Sequence, residues 1–294
     1  MADFAERLIQ LVQVRSSLCL GLDPSADLMK LWGLGDDVEG LKRFCGTVLD
    51  AADGTVSVVK PQAGFFERFG PEGMAELGRV VGRIREQGAL SLIDGKRGDV
   101  PGTMEGYAEA MIGPGKGFGA DAMTVAPYLG FDALRPALDR AVAKGAAVFV
   151  VVRSSNPDGR SLQDARHPDG RTVAEALADD ISAFNAQCGP GAGPIGAGPI
   201  GAVIGATIDE AGARILARLP QSLVLAPGVG AQGASIADVE ATFGRSLLRT
   251  LPSVSRAILR EGPTVQGLRA AIDRFRDQVW MACERVARFD PSAP

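Results

Sequence analysis

Short apolar runs alternate along the chain with longer segments of helical periodicity. The runs are rich in Val, Ile and Leu, and nearly every one ends in polar residues or in Gly and Pro. Because their apolarity is continuous rather than alternating, they are typical of parallel strands buried on both faces of a sheet. Eight runs predict strands over 18–23, 56–62, 89–96, 122–128, 147–155, 201–207, 222–230 and, with the weakest pattern, 247–254.

The segments between these runs carry apolar residues at three- and four-residue spacings, which is the pattern of amphipathic helices. Helices are predicted over 40–52, 71–87, 132–144, 172–187, 208–218 and 266–287. Eight strand–helix units in about 250 residues have the size and count of a (β/α)8 barrel, also called a TIM barrel. A doubly wound open sheet is the competing architecture, since strand counts taken from sequence err by one or two. We predict a single α/β barrel domain over residues 1–294.

Two irregular segments interrupt the pattern. The residues GAGPI at 191–195 are repeated directly at 196–200, just before the sixth strand. This is the amino-terminal side of the strand, so we interpret 189–201 as a Gly/Pro-rich surface insertion without a function. The polar stretch 154–172 follows the fifth strand instead, on the carboxyl-terminal face, where a loop is able to cover a ligand. His167 within that stretch is interpreted as a solvated loop residue.

The overall composition excludes several classes of partner. Hydrophobic residues make up 46% of the chain and charged residues 22%, as in ordinary soluble globular proteins. The net charge of −4 argues against general nucleic-acid binding and against a polybasic membrane contact. An anionic ligand therefore has to be held by a local cluster of charges.

Cysteine and histidine usage narrows the chemistry and the compartment. The four cysteines are scattered without a CxxC pair, so we expect reduced thiols in the cytoplasm. A single histidine excludes a His-rich metal site and argues against a Ser-His-Asp triad. No segment has the basic start and apolar core of a signal peptide, and no apolar run approaches the roughly 20 residues of a membrane span. We expect a cytoplasmic protein.

The end of the third predicted strand carries the densest group of charges. Asp94 and Lys96 are two residues apart, so both side chains are expected on one face of the strand. Asp99 lies beyond the strand end, where the turn aims it either back to the barrel or toward a neighbouring subunit. Charges that break out of a buried strand are costly unless they have partners or a function. A lysine between two carboxylates favours its charged form, which suits a proton donor better than a Schiff-base nucleophile.

Two further charges close the preceding strands. Asp23 ends the first strand and Lys60 ends the second. Either one alone is equally compatible with an ordinary charge at the rim. Together with Asp94 and Lys96 they mark the ends of three consecutive strands, which predicts an active site at the mouth of the barrel.

The seventh strand is followed by a glycine-rich loop. Gly228, Gly230 and Gly233 match the pattern G-x-G-x-x-G. A dinucleotide-binding interpretation requires this motif early in the chain, with an acidic residue about 20 positions later, and neither condition is met. The late position fits instead a phosphate cradle made by the loops after strands seven and eight. Arg256 is placed to complete it through bidentate hydrogen bonds, although on local sequence alone a surface helix arginine is the favoured interpretation.

These residues resemble a known family. DGKRGDVPGT at 94–103 is similar to the Asp-x-Lys-x-x-Asp signature and following Pro-x-Thr of orotidine 5′-phosphate decarboxylases. The motifs LCLGLDP, VVKPQAGFFE, TVAPYLGF, RSSNP and LAPGVGAQG resemble the strand ends of the longer, type 2 bacterial form, in the same order. The resemblance runs from about residue 18 to about residue 280. The departures are Gly95, where the family usually has Ala, and the GAGPI duplication, and neither alters a polar group.

The resemblance implies a role for each matched residue, a dimer of barrels, and no metal or cofactor. Lys96 would protonate C6 of the pyrimidine of orotidine 5′-phosphate, and Asp94 would face the substrate carboxylate. The remaining implied roles are ribose contacts from Asp23 and Lys60, entry of Asp99 and Thr103 into the partner's site, pyrimidine binding by Ser155, and phosphate binding by the loop at Gly230, by Gln232 and by Arg256.

Two other functions compete with this one. Related barrels with the same signature act on sugar phosphates with Mg²⁺, and their second strand ends in a metal-binding Glu. Here that position is Lys60, which would repel the cation. A barrel that binds nucleotides without catalysis is the other alternative, against which the intact Asp94, Lys96 and Asp99 argue.

Overall fold

The computed structural model of the protein describes residues 2–193, 196–230 and 233–288. Its strands form one closed parallel barrel in the chain order β1 to β8, in which β8 pairs back with β1. The predicted (β/α)8 barrel is therefore confirmed, and the open sheet is wrong. The strands are β1 (Cys19–Leu22), β2 (Val58–Pro61), β3 (Leu90–Arg97), β4 (Ala122–Val125), β5 (Ala147–Arg153), β6 (Ile200–Ile204), β7 (Val224–Val229) and β8 (Thr250–Val254).

Helices surround the barrel and occupy the loops at its mouth. All six predicted helices are present, with ends shifted by a few residues. The prediction did not include the helix Phe4–Arg15, the helix Pro101–Met111 that begins within the charged signature, the helix Ile236–Phe243, or the four shortest helices. The helices are α1 (Phe4–Arg15), α2 (Ala26–Leu31), α3 (Val38–Ala52), α4 (Gly64–Glu67), α5 (Gly70–Glu86), α6 (Pro101–Met111), α7 (Arg135–Lys144), α8 (Arg160–Gln163), α9 (Val173–Gln187), α10 (Glu210–Ala217), α11 (Ile236–Phe243), α12 (Arg256–Leu259) and α13 (Val265–Arg288).

The continuous apolarity of the strands has the expected cause. Every residue of β1, β2, β4, β6 and β8 is buried. One face of each strand packs under the outer helices, and the other fills the barrel interior. Burial on both faces leaves no polar side for an alternating pattern.

Helix α1 closes the amino-terminal end of the barrel. The ring of Phe4 lies 6.0 Å from that of Phe149 in an edge-to-face arrangement. Arg7 donates to Asp121 over 2.7 Å, and Asp121 also accepts from the backbone and hydroxyl of Ser91. Helix α1 therefore covers this end, and a ligand site is expected at the carboxyl-terminal end of the barrel.

The GAGPI duplication lies before β6, at this same closed end. Ala192 and Ala197 pair as an isolated antiparallel bridge, and Gly193 and Gly196 have positive φ angles of 65° and 59°. Residues 194–195 lie outside the described part of the chain. Within the described residues, no helix is long and apolar enough to cross a membrane.

Candidate active site

Strand β3 brings Asp94 and Lys96 together, but not through the regular pleat that the spacing suggested. The pairing of β3 with β4 shifts register between Ile93 and Arg97, and Lys96 has φ +43°. A non-glycine residue in this region costs about 1–3 kcal/mol and is held there by its surroundings. The lysine side chain turns back over the strand end, so that its Nζ lies 2.7 Å from Oδ1 of Asp94. The strand end is thus shaped around this ion pair.

The next residue fixes the outer side of the turn. Arg97 pairs with Glu67 of α4, and its guanidinium lies 5.5 Å from the ring centroid of Tyr107 on α6. The backbone carbonyl of Arg97 accepts from the N–H of Ala126 over 2.8 Å. Contacts to elements on both sides hold the turn that carries Lys96 in place.

Asp94 is the centre of a buried polar cluster. Lys60, at the end of β2, donates from Nζ to Oδ2 over 2.9 Å, and less than a tenth of either side chain is exposed. Thr124 of β4 donates to Oδ1 over 2.8 Å and accepts from the backbone N–H of Lys96 over 2.9 Å. Three strands therefore supply donors to one carboxylate.

The electrostatics of this cluster fix its charges at neutral pH. Burial alone would raise the pKa of Asp94, but Lys60 and then Lys96 hold that pKa well below its usual range. Burial opposes the charged form of Lys60, yet the carboxylates of Asp94 and Asp23 raise the pKa of this lysine above its usual value. Near pH 7, Asp94 is thus an anion and Lys60 is a cation.

Asp23 lies beside this cluster, at the end of β1. Its Oδ2 accepts from the hydroxyl of Ser255 over 2.6 Å. Its Oδ1 is buried and has no hydrogen-bond partner within the described residues. Gln62 bridges the neighbouring strands, because it donates to the backbone carbonyl of Asp94 and accepts from Lys60. One carboxylate oxygen of Asp23 therefore has no hydrogen-bond donor among the described residues.

Three residues of this arrangement were not predicted as part of the site. Thr124, Gln62 and Ser255 each contact a predicted residue directly. Thr124 lies in the apolar run Ala-Met-Thr-Val, where a single hydroxyl among buried residues is a usable signal. Gln62 and Ser255 directly follow strand ends, as Asp23 and Lys60 close theirs. A polar residue at a strand end is a weaker signal than a hydroxyl inside a buried strand.

A cleft of about 800 Å³ opens beside Asp23. Gln62 and Phe65 line it from the β2 side, and Arg256 and Arg260 line it from the segment after β8. Arg256 is exposed in this cleft. Residues from both ends of the chain thus share one cavity at the barrel mouth, where the two arginines lie on the side of β8 and Asp23 and Asp27 also line the wall.

The glycine-rich loop after β7 packs against the start of α12. Gly230 has φ +76°, and a Cβ added there would lie 2.7 Å from the Cβ of Ala257. The N–H of Gly230 donates to the carbonyl of Ala234 over 2.7 Å, so this residue contributes a close backbone approach rather than a free donor. The structure brings the β7 and β8 loops together, as a shared phosphate cradle requires. Gln232 lies outside the described residues.

The segment 154–172 is folded and tied to the end of β5. Arg153 is buried and pairs with Asp164 in this segment and with Asp209 before α10. Ser155 is half-buried, and a Cβ at Gly205 would lie 2.7 Å from its backbone nitrogen. Ser155 therefore sits against the end of β6, at the barrel mouth. His167, predicted as a solvated loop residue, is exposed on this segment.

Asp99 and Thr103 stand apart from the charged cluster. Asp99 is half-buried and accepts from the N–H of Val100 over 2.7 Å, and Thr103 is exposed on the first turn of α6. No hydrogen bond among the described residues joins Asp99 to Asp94 or Lys96. Within one protomer, the structure therefore does not bring Asp99 and Thr103 to the site.

This combination of residues defines a class of protein. Alternating lysines and aspartates end neighbouring strands of a closed barrel, beside a cleft that carries arginines. Active sites of (β/α)8 enzymes are built at this end of the barrel. The chain is therefore a barrel enzyme with a preformed, charged active site.

Comparison with known proteins identifies the family. The model of the orotidine 5′-phosphate decarboxylase / HUMPS family matches residues 16–271, so the chain belongs to this family. The orotidine 5′-phosphate decarboxylase of Myxococcus xanthus is 49% identical over 271 residues, which cover 92% of this chain and 93% of that protein. The enzyme of the same name from Salinispora tropica is 48% identical over 274 residues, 93% of this chain and 96% of the relative.

Solved structures agree with this assignment. A crystal structure of a candidate orotidine 5′-phosphate decarboxylase from Streptomyces avermitilis has a TM-score of 0.88 and 43% identity, and covers 97% of both chains. The structure of Leishmania donovani OMP decarboxylase has a TM-score of 0.78 and 29% identity, and covers 96% of this chain and 99% of that one. The resemblance found in the sequence motifs is confirmed over nearly the full chain.

Proposed function

We propose that this protein is a cytoplasmic enzyme of de novo pyrimidine synthesis that converts orotidine 5′-phosphate to uridine 5′-phosphate and CO2 without a metal or cofactor. The observation that carries the proposal is the Asp94 carboxylate held between the ammonium groups of Lys60 and Lys96. The relatives from M. xanthus and S. tropica, which bear the name of this activity, match almost the whole chain.

Lys96 is the proton donor in this proposal. Breaking the bond between C6 and the carboxylate leaves the electron pair on C6, where the pyrimidine offers no conventional sink. An ammonium group beside C6 offsets this charge, and transfer of its proton completes the product. About half of the Lys96 side chain is exposed, whereas Asp94 and Lys60 are buried. Lys96 is therefore the most exposed charge of the cluster.

Asp94 and Lys60 keep the site charged and aligned. The low pKa of Asp94 keeps it anionic, so it orients Lys96 and faces the substrate carboxylate. Repulsion between the two carboxylates would be relieved as CO2 leaves. Lys60 compensates the buried charge of Asp94 and, with Asp23, contacts the ribose hydroxyls. The free Oδ1 of Asp23 supports that assignment.

Separate residues bind the phosphate and the base of the substrate. Arg256 and Gln232 grip the phosphate next to the loop of Gly230, and Ser155 binds the pyrimidine. Arg256 is supported by its exposure in the cleft that it shares with Asp23. Binding energy from the distant phosphate helps to organise the reacting end of the substrate.

The active enzyme is a homodimer in which Asp99 and Thr103 enter the site of the partner. An apolar surface patch beside them supports this arrangement: Val100, Tyr128 and Leu129 are 54%, 77% and 51% exposed. Large apolar side chains exposed together mark protein–protein contacts. A C2 contact through this patch would bring each Asp99 toward the other barrel mouth.

The Mg²⁺-dependent sugar phosphate enzymes are the second candidate. Their metal requires a carboxylate at the end of the second strand, where this chain has Lys60. That lysine is buried and bonded to Asp94, so its positive charge would repel a metal ion at this position. We therefore favour the decarboxylase.

The proposal is tested by the loss of ultraviolet absorbance when purified protein is added to orotidine 5′-phosphate in excess EDTA. Rapid conversion to uridine 5′-phosphate would establish the reaction, the substrate and metal independence together. Tight binding of uridine 5′-phosphate without conversion would favour a nucleotide-binding barrel. Neither conversion nor binding would contradict the proposal, and sugar phosphates with Mg²⁺ would be tested next.

A further inference from the structure

Ser255 immediately precedes α12, but its side chain does not cap that helix. A serine at this position ordinarily accepts a hydrogen bond from an N–H in the first turn. No such bond is formed here, and the hydroxyl donates instead to Oδ2 of Asp23 over 2.6 Å. Only the backbone carbonyl of Ser255 serves the helix, because it accepts from the N–H groups of Ile258 and Leu259. The side chain of Ser255 therefore connects the loop after β8 to the loop after β1.

Packing of the backbone fixes this contact. Strand β8 pairs with β1 through Leu20 and Val254, which directly precedes Ser255. A Cβ at Gly21 would lie 2.6 Å from the Cβ of Ser255. Glycine at this position of β1 thus allows the loop after β8 to approach closely enough for the hydrogen bond to Asp23.

The hydrogen bond from Ser255 makes the two carboxylate oxygens of Asp23 different. Oδ2 is held by Ser255, while Oδ1 is buried without a partner in the described residues. A buried acceptor without a donor is costly, so a ligand hydroxyl at Oδ1 would be bound favourably. Arg256, the neighbour of Ser255, lines the same cleft as Asp23. One short segment therefore carries a phosphate-binding cation and the group that orients a hydroxyl-binding carboxylate.

We propose that Ser255 is a positioning residue that holds Asp23 for the ribose and so links ribose alignment to the segment that binds the phosphate. This inference rests on the proposed function, since it takes the nucleotide as the ligand. Ser255 does not touch the reacting atoms. Its loss should therefore weaken binding in the ground state and the transition state alike, which raises KM and leaves kcat nearly unchanged.

The first test is Ser255→Ala, which keeps the Cβ that packs against Gly21. We expect kcat/KM for orotidine 5′-phosphate to fall about tenfold, or about 1.4 kcal/mol, mainly through KM, because the lost hydrogen bond has a charged acceptor. Ser255→Cys keeps a weaker donor at the same position of the side chain, and should lie between Ser255→Ala and wild type.

Ser57→Ala is the matched control. The Ser57 hydroxyl is buried and also makes a 2.6 Å hydrogen bond, to the backbone carbonyl of Ser16 at the closed end of the barrel. This variant should lower Tm and leave KM within about twofold of wild type, since it removes a structural bond only. If both variants alter Tm alone, Ser255 is structural and the inference is wrong.

A double-mutant cycle with Asp23→Ala identifies the group on which Ser255 acts. Without the Asp23 carboxylate, Ser255→Ala should cause little further loss of kcat/KM, because directly coupled residues are not additive. An equal loss in both backgrounds, or coupling to Arg256→Ala alone, would overturn the role of Ser255. The wild-type rate separates the two proposals: an inactive wild-type enzyme contradicts the proposed function, whereas an active one with a normal Ser255→Ala variant contradicts only this inference.

Discussion

Lys60 and Asp94 form an ion pair in which Nζ lies 2.9 Å from Oδ2, and both side chains are almost completely buried. Lys96 contacts the other oxygen of the same carboxylate but is half exposed. The buried pair is thus a fixed part of the site, and Lys96 is its exposed charge. This asymmetry assigns different roles to two lysines that look alike in the sequence.

Replacing Lys96 by Ala should remove nearly all turnover while leaving nucleotide binding. We expect kcat to fall at least about 10³-fold, since both the proton donor and the charge that stabilises the carbanion are lost. Decarboxylation is measured by absorbance and uridine 5′-phosphate binding by calorimetry. Lys116→Ala, at an exposed loop position, is the control and should keep the wild-type rate. A comparable kcat in Lys96→Ala and wild type would reject Lys96 as the donor.

Asp94 should make the stability of the protein depend on pH in acid. Its pKa is lower in the folded chain than in the unfolded chain, so the unfolded chain binds the proton more readily. The stabilisation is therefore complete above the unfolded pKa of about 4, and is lost as the pH falls toward the folded pKa. Asp94→Asn lacks this contribution. Below a pH of about 4, the difference in free energy of unfolding between wild type and Asp94→Asn should therefore shrink by up to about 1.4 kcal/mol per pH unit.

Urea denaturation across the acid range measures this convergence. Ser57→Ala, which removes a buried hydrogen bond but no titratable group, is the control and should stay at a constant difference from wild type. Parallel curves for wild type and Asp94→Asn would show that the carboxylate is not stabilised by its lysine partners.

The barrel could be predicted from sequence because burial on both faces of a strand leaves a direct mark. Runs such as Val-Phe-Val-Val-Val at 148–152 have no polar side, and the charges that end such runs fall at one end of the barrel. This is why Lys60, Asp94 and Lys96 could be placed in one site. The turn at Lys96 could not be predicted, because its positive φ depends on contacts with other elements.

Contacts between distant parts of the chain could not be predicted from the sequence either. Ser255 and Asp23 are 232 positions apart, and nothing in either local pattern marks the other as its partner. Thr124 contacts Asp94 across 30 positions. Strand order alone places such residues at the same end of the barrel, but only the register and loop geometry decide which atoms meet.

Arg256→Ala should weaken binding of the phosphate group. An exposed arginine lining the cleft offers bidentate hydrogen bonds to a phosphate, so we expect kcat/KM to fall at least about tenfold. Calorimetry should show weaker binding of uridine 5′-phosphate and unchanged binding of uridine, which lacks the phosphate. Arg274→Ala, a surface change on α13, is the control. An unchanged kcat/KM in Arg256→Ala would remove this residue from the phosphate site.

Hybrid dimers test whether Asp99 acts in the partner's site. Lys96→Ala and Asp99→Ala homodimers should each be nearly inactive. When the two variants are mixed and allowed to exchange subunits, each hybrid contains one site with an intact Lys96 and an intact Asp99 from the partner. Random exchange should therefore restore about a quarter of wild-type activity. If Asp99 acts within its own protomer, each hybrid has one site without Lys96 and one site without Asp99. No site is then intact, and mixing would restore no activity.

Arg153→Met should loosen the segment 154–172. The guanidinium is 6% exposed, while its partners Asp164 and Asp209 are 41% and 47% exposed. Once Arg153 is lost, the carboxylates of Asp164 and Asp209 are hydrated, and the segment loses its ion pair to the end of β5. The segment contains Arg160, Arg166 and Arg171, which are cleavage sites for trypsin.

We therefore expect faster tryptic cleavage within 154–172 and a higher KM, since Ser155 lies only two positions after Arg153. Arg249→Met is the matched control, because Arg249 is also buried but donates to backbone carbonyls of Leu216 and Ser222, away from this segment. It should lower Tm without selective cleavage. Equal cleavage of the two variants within 154–172 would show that Arg153 contributes to general stability and does not anchor this segment, because a specific anchor must affect local opening more than global unfolding.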